Sequence, residues 1–227
     1  ATRIRMQKFW QYLFDKQWHA LKTYCNDRNI KIFGDLPIYV AHDSAEVWAH
    51  PELFYLDKEG NPQFVAGVPP DYFSETGQLW GNPLYRWDVH QADDFSWWLK
   101  RLTSVLELVD IVRLDHFRGF AGYWEVPFGE KTAVNGRWVD GPGELFFTTI
   151  KRELGDLPVI AEDLGVITPD VVAMREHFNL PGMSVIQFAF TGVPSDPFLP
   201  HNHKVHSVVY TGTHDNDTSR GWYERVS

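Results

Sequence analysis

Four acidic side chains follow short apolar runs, at positions where the strands of a predicted sheet would end. They are Asp35 after IFG, Asp115 after IVRL, Glu162 after VIA, and Asp215 after VVYTGTH. In a β/α barrel the carboxyl ends of the strands open on one face, and that face holds the active site. Carboxylates gathered there repel one another, which shifts their pKa values and suits them to acid–base work. The sequence therefore predicts carboxylate chemistry at this face.

Each acid also has a purely structural interpretation. Asp115 lies two residues after Arg113 on the same face of a strand, so the two could form a structural ion pair. Glu162 and Asp163 could interact with a helix dipole, and residues 214–217 could form a tight polar turn. Four acids in the same strand-end context favour a functional site over four unrelated structural roles.

Other common catalytic motifs are missing from the sequence. His201, His203 and His206 have loose metal-like spacing, but they lie in a loop without a partnering cysteine or acid cluster, which disfavours a zinc site. There is no G-x-S-x-G, no P-loop and no G-x-G-x-x-G after a strand, which removes the usual signals of acyl transfer and nucleotide chemistry. We expect neither a metal nor a cofactor.

Alternating helices and strands must position the four acids. Apolar spacing predicts helices at about 6–24, 94–109 and 144–154, and Thr168-Pro169 begins another. Continuous apolar runs predict five strands, which is typical of parallel βα units in an α/β fold. The strands span 30–40, 111–114, 159–161, 183–190 and 207–211. Between the first two strands, a proline-rich segment predicts an inserted loop subdomain at about 41–92, within one domain covering 1–227.

Charge and cysteine content exclude several classes of protein. Lys and Arg number 21 against 30 Asp and Glu, a net charge of −9 without a basic run. This argues against nucleic-acid partners and against anionic membrane surfaces. The longest uncharged stretch is interrupted by prolines and is a poor membrane span. The single cysteine, Cys25, cannot form an intramolecular disulfide, which predicts a cytoplasmic location.

Aromatic residues make up 15% of the chain and include ten tryptophans. Two interpretations are open. The rings could fill a bulky core, or they could line a groove in which sugar rings stack on flat apolar surfaces.

Five motifs together resemble the amylomaltases, the 4-alpha-glucanotransferases or disproportionating enzymes of the alpha-amylase clan. The motifs are GDLPIYVAHDSAEVW, WGNPLY, VRLDHFRGF, AEDLG and YTGTHDND. The resemblance implies a (β/α)8 TIM-type barrel, of which this chain would supply about five of the eight strands and the inserted loop region. The remaining strands would come from companion segments of the same enzyme.

The resemblance also implies a reaction and the residues that carry it out. α-1,4-Glucan segments would move between maltooligosaccharides by a retaining double displacement through a covalent glycosyl-enzyme. Asp115 would be the nucleophile, held ionised by Arg113, Glu162 the general acid/base, and Asp215 the third acid. In retaining enzymes the nucleophile and the acid/base are about 5–5.5 Å apart. The implied substrate-binding residues are Asp35, Gln78, Trp80, Arg113, His116 and His214.

The implied substrates are maltooligosaccharides and glucans derived from starch or glycogen, and the location would be the plastid stroma in a plant. Transfer also requires the exclusion of water, and residues 64–85, with Tyr72, Phe73, Trp80 and Tyr85, are the candidate closing loop. The alternative is a rigid insertion that packs outside the barrel.

Three alternative functions remain open. The chain could belong to an amylase-type hydrolase, or it could be an inactive glucan-binding fragment. It could also belong to a metal-dependent barrel hydrolase that uses His116, Glu162, His214 and Asp215 as ligands.

Overall fold

The computed structural model describes residues 2–71 and 74–226. Tyr72 and Phe73 of the candidate closing loop lie outside the described residues. The helices are α1 Thr2–Asn26, α2 Ala45–Ala49, α3 Trp87–Ala92, α4 Ser96–Leu108, α5 Gly143–Leu154, α6 Pro169–His177 and α7 Ser219–Val226. The strands are β1 Phe33–Leu36, β2 Phe64–Val68, β3 Gln78–Pro83, β4 Ile111–Leu114, β5 Gly122–Pro127, β6 Arg137–Asp140, β7 Val159–Ala161, β8 Gly182–Val185 and β9 Ser207–Tyr210.

The five predicted parallel strands are all present, although several are shorter than the apolar runs that predicted them. They form a three-stranded sheet in the order β1-β4-β7 and a two-stranded sheet of β8 and β9. A backbone hydrogen bond of 2.8 Å from the Ala161 N–H to the Pro181 carbonyl links the two sheets. The strands therefore follow one another in the order expected of successive βα units, with their carboxyl ends on one side.

A third sheet, which is antiparallel, was not predicted. Its order is β3-β2-β5-β6, so strands of the inserted segment pair with residues 122–140, beyond the limits of the predicted subdomain. Glycine and proline bound β5, and its centre carries Glu125, which is buried against Arg137 at 2.6 Å. This mixture gives only a weak apolar alternation, which is why the sequence pattern did not reveal the strand.

Aromatic rings fill the centre of the structure. The indole of Trp98 is fully buried, and its ring centroid lies 5.4 Å from those of Tyr85, Trp97, Phe120 and Phe146. Edge-on arrangements of this kind add to the stabilisation from apolar burial. The core interpretation therefore accounts for much of the aromatic content.

Helix α1 is attached to the rest of the structure mainly by polar contacts with the end of α4. The Trp18 indole donates to the Leu108 carbonyl at 2.7 Å, and the Lys22 ammonium donates to the Val109 carbonyl at 3.0 Å. A lysine beside the last carbonyls of a helix stabilises that end. None of the α1 side chains is buried, and Phe9 and Trp10 are exposed. Its predicted apolar face is thus accessible.

Within the described ranges, no helix is long and apolar enough to cross a membrane.

Replacing a buried ring should destabilise the fold far more than replacing an exposed one. We expect Phe120→Ala to lower the free energy of unfolding by about 3–5 kcal/mol, because it leaves a cavity beside Trp98. Phe128 is 55% exposed, so the matched Phe128→Ala variant should change it by less than about 0.5 kcal/mol. Urea unfolding followed by tryptophan fluorescence measures both. Equal losses would contradict this description of the core.

Candidate active site

Asp115 and Glu162 occupy equivalent positions on neighbouring strands. Asp115 directly follows β4 and Glu162 directly follows β7. The two strands are parallel, with Leu114 paired to Ala161, so the next residue of each strand is an acid. Paired parallel strands are about 4.8 Å apart. The strands that carry these two acids are therefore direct neighbours in the sheet.

Arg113 connects the acids of two strands. Its side chain lies between Asp35 on β1 and Asp115 after β4, and Asp35 is the register partner of Arg113 itself. One guanidinium nitrogen, Nη1, donates to Asp35 Oδ2 at 2.8 Å, and the other, Nη2, forms an ion pair with Asp115 Oδ1. Arg113 is buried, whereas both carboxylates are partly exposed. The arginine thus holds both acids at the floor of an open site.

Several charges act on Asp115. Burial raises its pKa, Arg113 offsets part of that rise, and Asp35 and Asp215 add to it. The resulting pKa is above the ordinary value. The contact with Arg113 that we expected is therefore present, and it favours the ionised form, but it does not lower the pKa below that of a free aspartate.

Glu162 has a different environment. It is buried, its Oε2 accepts from the His116 N–H at 2.8 Å, and its Oε1 accepts from the Leu164 N–H at 2.8 Å. Burial raises the pKa of Glu162 to about 7; the two N–H bonds and Arg113 oppose this rise, and the charge of Asp115 adds to it. A carboxyl group with this pKa can both donate and accept a proton near neutral pH.

The hydrogen bond from His116 depends on an unusual backbone conformation. His116 has φ 50° and ψ 50°, in the left-handed region that residues other than glycine rarely adopt. The turn directs the peptide N–H between Asp115 and His116 toward Glu162. The side chain is half-buried with its Nε2 atom enclosed, and this burial lowers its pKa to about 3. His116 is therefore uncharged at neutral pH, and its backbone contacts the acid of the next strand.

The antiparallel sheet brings Gln78 and Trp80 to the same place. Both belong to β3, and the Trp80 indole donates to Gln78 Oε1 at 3.1 Å. The Trp80 ring lies edge-on to His116 at 4.8 Å between centroids, and Tyr39 is 6.2 Å from Trp80. These rings form an aromatic wall beside Asp115, which supports the groove interpretation for this part of the aromatic content.

His214 and Asp215 follow β9, two strands beyond Glu162. Both side chains are exposed, and Asp215 Oδ1 lies 3.5 Å from His214 Nε2. Their charges act on the pKa of Asp115, Asp215 raising it and His214 lowering it. Sequence reasoning missed Tyr210, the last residue of β9. Burial raises its pKa, and the charges of Arg113 and Asp35 also act on it. Its strand-end position could have revealed it.

Asp163 has a structural role, which was one of the two interpretations left open for the neighbouring acids Glu162 and Asp163. Its Oδ1 accepts from the Met183 N–H at 2.8 Å, and its Oδ2 lies 3.1 Å from Arg175 Nε. The two acids point in different directions, as successive residues of an extended chain do. Glu162 belongs to the site, and Asp163 fixes the start of β8.

The histidines of the loop before β9 contact backbone carbonyls. His201 Nε2 lies 3.2 Å from the Pro194 oxygen and His203 Nε2 lies 2.9 Å from the Phe198 oxygen. In the part of the chain that the structure describes, no group of three or more His, Cys, Asp or Glu side chains could hold a metal ion.

Comparison with known proteins identifies the family. The sequence profile of the 4-alpha-glucanotransferases matches residues 1–227. A 4-alpha-glucanotransferase of Thermus thermophilus is 60% identical over 229 residues, which cover 100% of this chain and 46% of that protein. A chloroplastic/amyloplastic 4-alpha-glucanotransferase of Solanum tuberosum is 54% identical over 216 residues, which cover 95% of this chain and 38% of that protein.

A solved structure gives the same result. The amylomaltase from Streptococcus agalactiae in complex with acarbose superposes with a TM-score of 0.92 at 47% identity, over 96% of this chain and 44% of that one. The chain therefore belongs to the 4-alpha-glucanotransferase family and has the mixed α/β fold of the corresponding part of an amylomaltase. It spans less than half the length of these relatives.

If Asp115 and Glu162 face the same space, neutralising one should change the pKa of the other. We expect Asp115→Asn to lower the pKa of Glu162 below about 7, because it removes a negative charge that disfavours ionisation. Carboxyl 13C NMR titration, with the Glu162→Gln spectrum for assignment, measures this pKa. Asp156 is exposed and lies before the opposite end of β7. The control variant Asp156→Asn should therefore leave the pKa of Glu162 unchanged. An unaltered Glu162 pKa in Asp115→Asn would show that the two carboxyls do not interact.

Proposed function

We propose that this chain is the central part of a 4-alpha-glucanotransferase that transfers α-1,4-glucan segments between maltooligosaccharides. The observation that carries the proposal is the pair of acids on adjacent parallel strands. Asp115 contacts an arginine, whereas Glu162 is buried with a pKa of about 7. A retaining mechanism needs one carboxylate that attacks and one carboxyl that exchanges a proton.

The proposed reaction has two steps. First, an Asp115 oxygen attacks the anomeric carbon, the glycosidic bond breaks, and the leaving oxygen takes the proton of Glu162. Second, the hydroxyl of an acceptor glucan gives its proton to Glu162 and attacks the same carbon, which releases Asp115. The predicted carboxyl separation of about 5–5.5 Å would allow both steps. The contact with Arg113 favours the ionised form of Asp115 before the attack.

The remaining site residues have proposed roles in binding the sugar. Asp215, the third acid, would hold hydroxyls of the distorted sugar ring together with His214. The proposed substrate-binding residues are Asp35, Gln78, Trp80, Arg113, His116 and His214. Two observations support these roles. Arg113 contacts both Asp35 and the proposed nucleophile Asp115, and the Trp80 ring lies against His116.

Transfer requires that an acceptor sugar, and not water, reaches the intermediate. Residues 64–85 are the proposed closing segment, because β2 and β3 lie within it and β3 carries Trp80 at the edge of the site. An amylase-type hydrolase is the second candidate, since the same two acids serve hydrolysis when the site stays open to water.

The products of maltotriose separate transfer from hydrolysis. We expect the complete enzyme to convert maltotriose into glucose and a ladder of longer maltooligosaccharides, and Asp115→Asn to abolish that ladder. The control variant Asp156→Asn should retain it. Chromatography of the products measures the outcome. Glucose and maltose without longer products would favour the hydrolase, and activity retained by Asp115→Asn would exclude the proposed nucleophile.

We also propose that companion segments complete a (β/α)8 barrel in which this chain supplies five strands. Strand β1 and strand β9 each pair on one side only among the described residues, and the chain spans 46% of its Thermus relative. The proposed substrates are maltooligosaccharides and glucans derived from starch or glycogen. Cys25, a free cysteine, supports a reducing location, either the cytoplasm or, in a plant, the plastid stroma.

Unpaired strand edges and an exposed apolar helix face promote association. Expressed alone, the 227-residue chain should therefore elute from gel filtration as oligomers or aggregates. Expressed with the segments that correspond to the rest of its relatives, it should elute as a defined species. A stable monomer of the chain alone, with cooperative unfolding, would contradict the need for companion segments.

A further inference from the structure

Trp48 is an exposed tryptophan outside the carboxylate site. It lies on the short helix α2 and is 86% exposed. The indole borders an open cleft of about 510 Å³, between residues 42–48 on one side and the turn at 56–60 on the other. Its lining includes His42, Asp43, Ser44, Pro51 and Leu56. This volume falls in the range typical of small-molecule sites.

The backbone that presents Trp48 is firmly held. The neighbouring Val47 is buried, and its N–H donates to Ser44 Oγ at 3.3 Å. The preceding residue, Glu46, accepts from the Trp97 indole of α4 at 2.8 Å. The two residues before the tryptophan are therefore anchored while its own ring faces solvent. A ring displayed in this way needs little further ordering to bind a ligand.

A hydrogen bond also joins the two sides of the cleft. His42 Nε2 lies 2.8 Å from the carbonyl oxygen of Gly60. The turn that contains Gly60 is fixed by Asp57, whose Oδ1 accepts from the N–H groups of Glu59 and Asn61 at 2.9 and 2.8 Å. The cleft is therefore preformed.

The chemistry of the lining indicates the kind of ligand. The face of an exposed indole offers an apolar plane, and the Asp43 carboxylate, which is also exposed, can accept hydrogen bonds from hydroxyl groups. The lining contains an aspartate and lacks lysine and arginine, which disfavours an anionic ligand. A sugar combines an apolar C–H face with hydroxyl edges and carries no charge.

We propose that Trp48 and the cleft beside it form a second binding site for α-glucan chains, separate from the carboxylate site. This inference rests on the proposed function, which supplies α-glucans as the substrate class. Such a site would retain a long glucan on the protein while its end reacts at Asp115. The competing occupant is a polypeptide segment of the same protein, and the test separates the two.

The test measures maltoheptaose binding to the protein with its companion segments, in a Glu162→Gln background that prevents turnover. Isothermal titration calorimetry should detect two classes of site. Adding Trp48→Ala should weaken one class by about tenfold or more, because a central aromatic contact is lost. Trp48→Phe retains an aromatic plane and should restore most of the binding. Phe128→Ala removes another exposed ring and should change neither class.

Each outcome decides the proposal. The second site is supported if Trp48→Ala weakens one class of maltoheptaose-binding site and Trp48→Phe restores most of that binding. Unchanged maltoheptaose binding in Trp48→Ala overturns it, and a lowered unfolding temperature with unchanged binding identifies a polypeptide as the occupant. Failure of the proposed function is seen separately, since the unsubstituted enzyme would then form no ladder from maltotriose.

Discussion

The arrangement of the site depends on a buried guanidinium held between two carboxylates. Arg113 donates to Asp35 on one strand and to Asp115 at the end of its own strand. A buried arginine without partners would be strongly unfavourable, so the fold must keep both acids in place. The parallel register of β1 and β4 satisfies this requirement, because it pairs Asp35 with Arg113 directly. The same contacts hold Asp115 beside the strand that carries Glu162.

The antiparallel sheet brings a second group of residues to the parallel strands. Strand β2 pairs with β5 on one side and β3 on the other, and β5 follows the turn that begins at His116. Trp80 of β3 thus lies against His116, although the two are 36 positions apart in the sequence. The buried rings around Trp98 belong to one core cluster with Leu36 and Leu114 of the three-stranded parallel sheet and with Ala66 and Tyr123 of the antiparallel sheet. The aromatic content therefore fills the core and also lines one wall of the site.

The predictions from sequence were strongest where local patterns determine the structure. Apolar runs that end in acids identified the parallel strands and the positions of Asp115 and Glu162, because a buried parallel strand is a short continuous apolar run with a defined end. The antiparallel sheet was missed because its strands show only weak apolar alternation and its pairing joins distant residues. The bond from the His116 N–H to Glu162 could not be predicted either, since no local pattern requires a left-handed conformation at a histidine. Tyr210, the last residue of β9, was overlooked although it lies within a predicted strand, one residue before its end.

The left-handed conformation of His116 restricts which amino acids can occupy this position. Glycine adopts φ near 50° without strain, and asparagine tolerates it, whereas valine, isoleucine and threonine do not. Aspartate also tolerates the conformation, but it would add a third negative charge next to Asp115 and Glu162. Variation that preserves the turn should therefore be confined to a few small or amide side chains. Position 116 is tightly constrained by its backbone, independently of any contact that its imidazole makes.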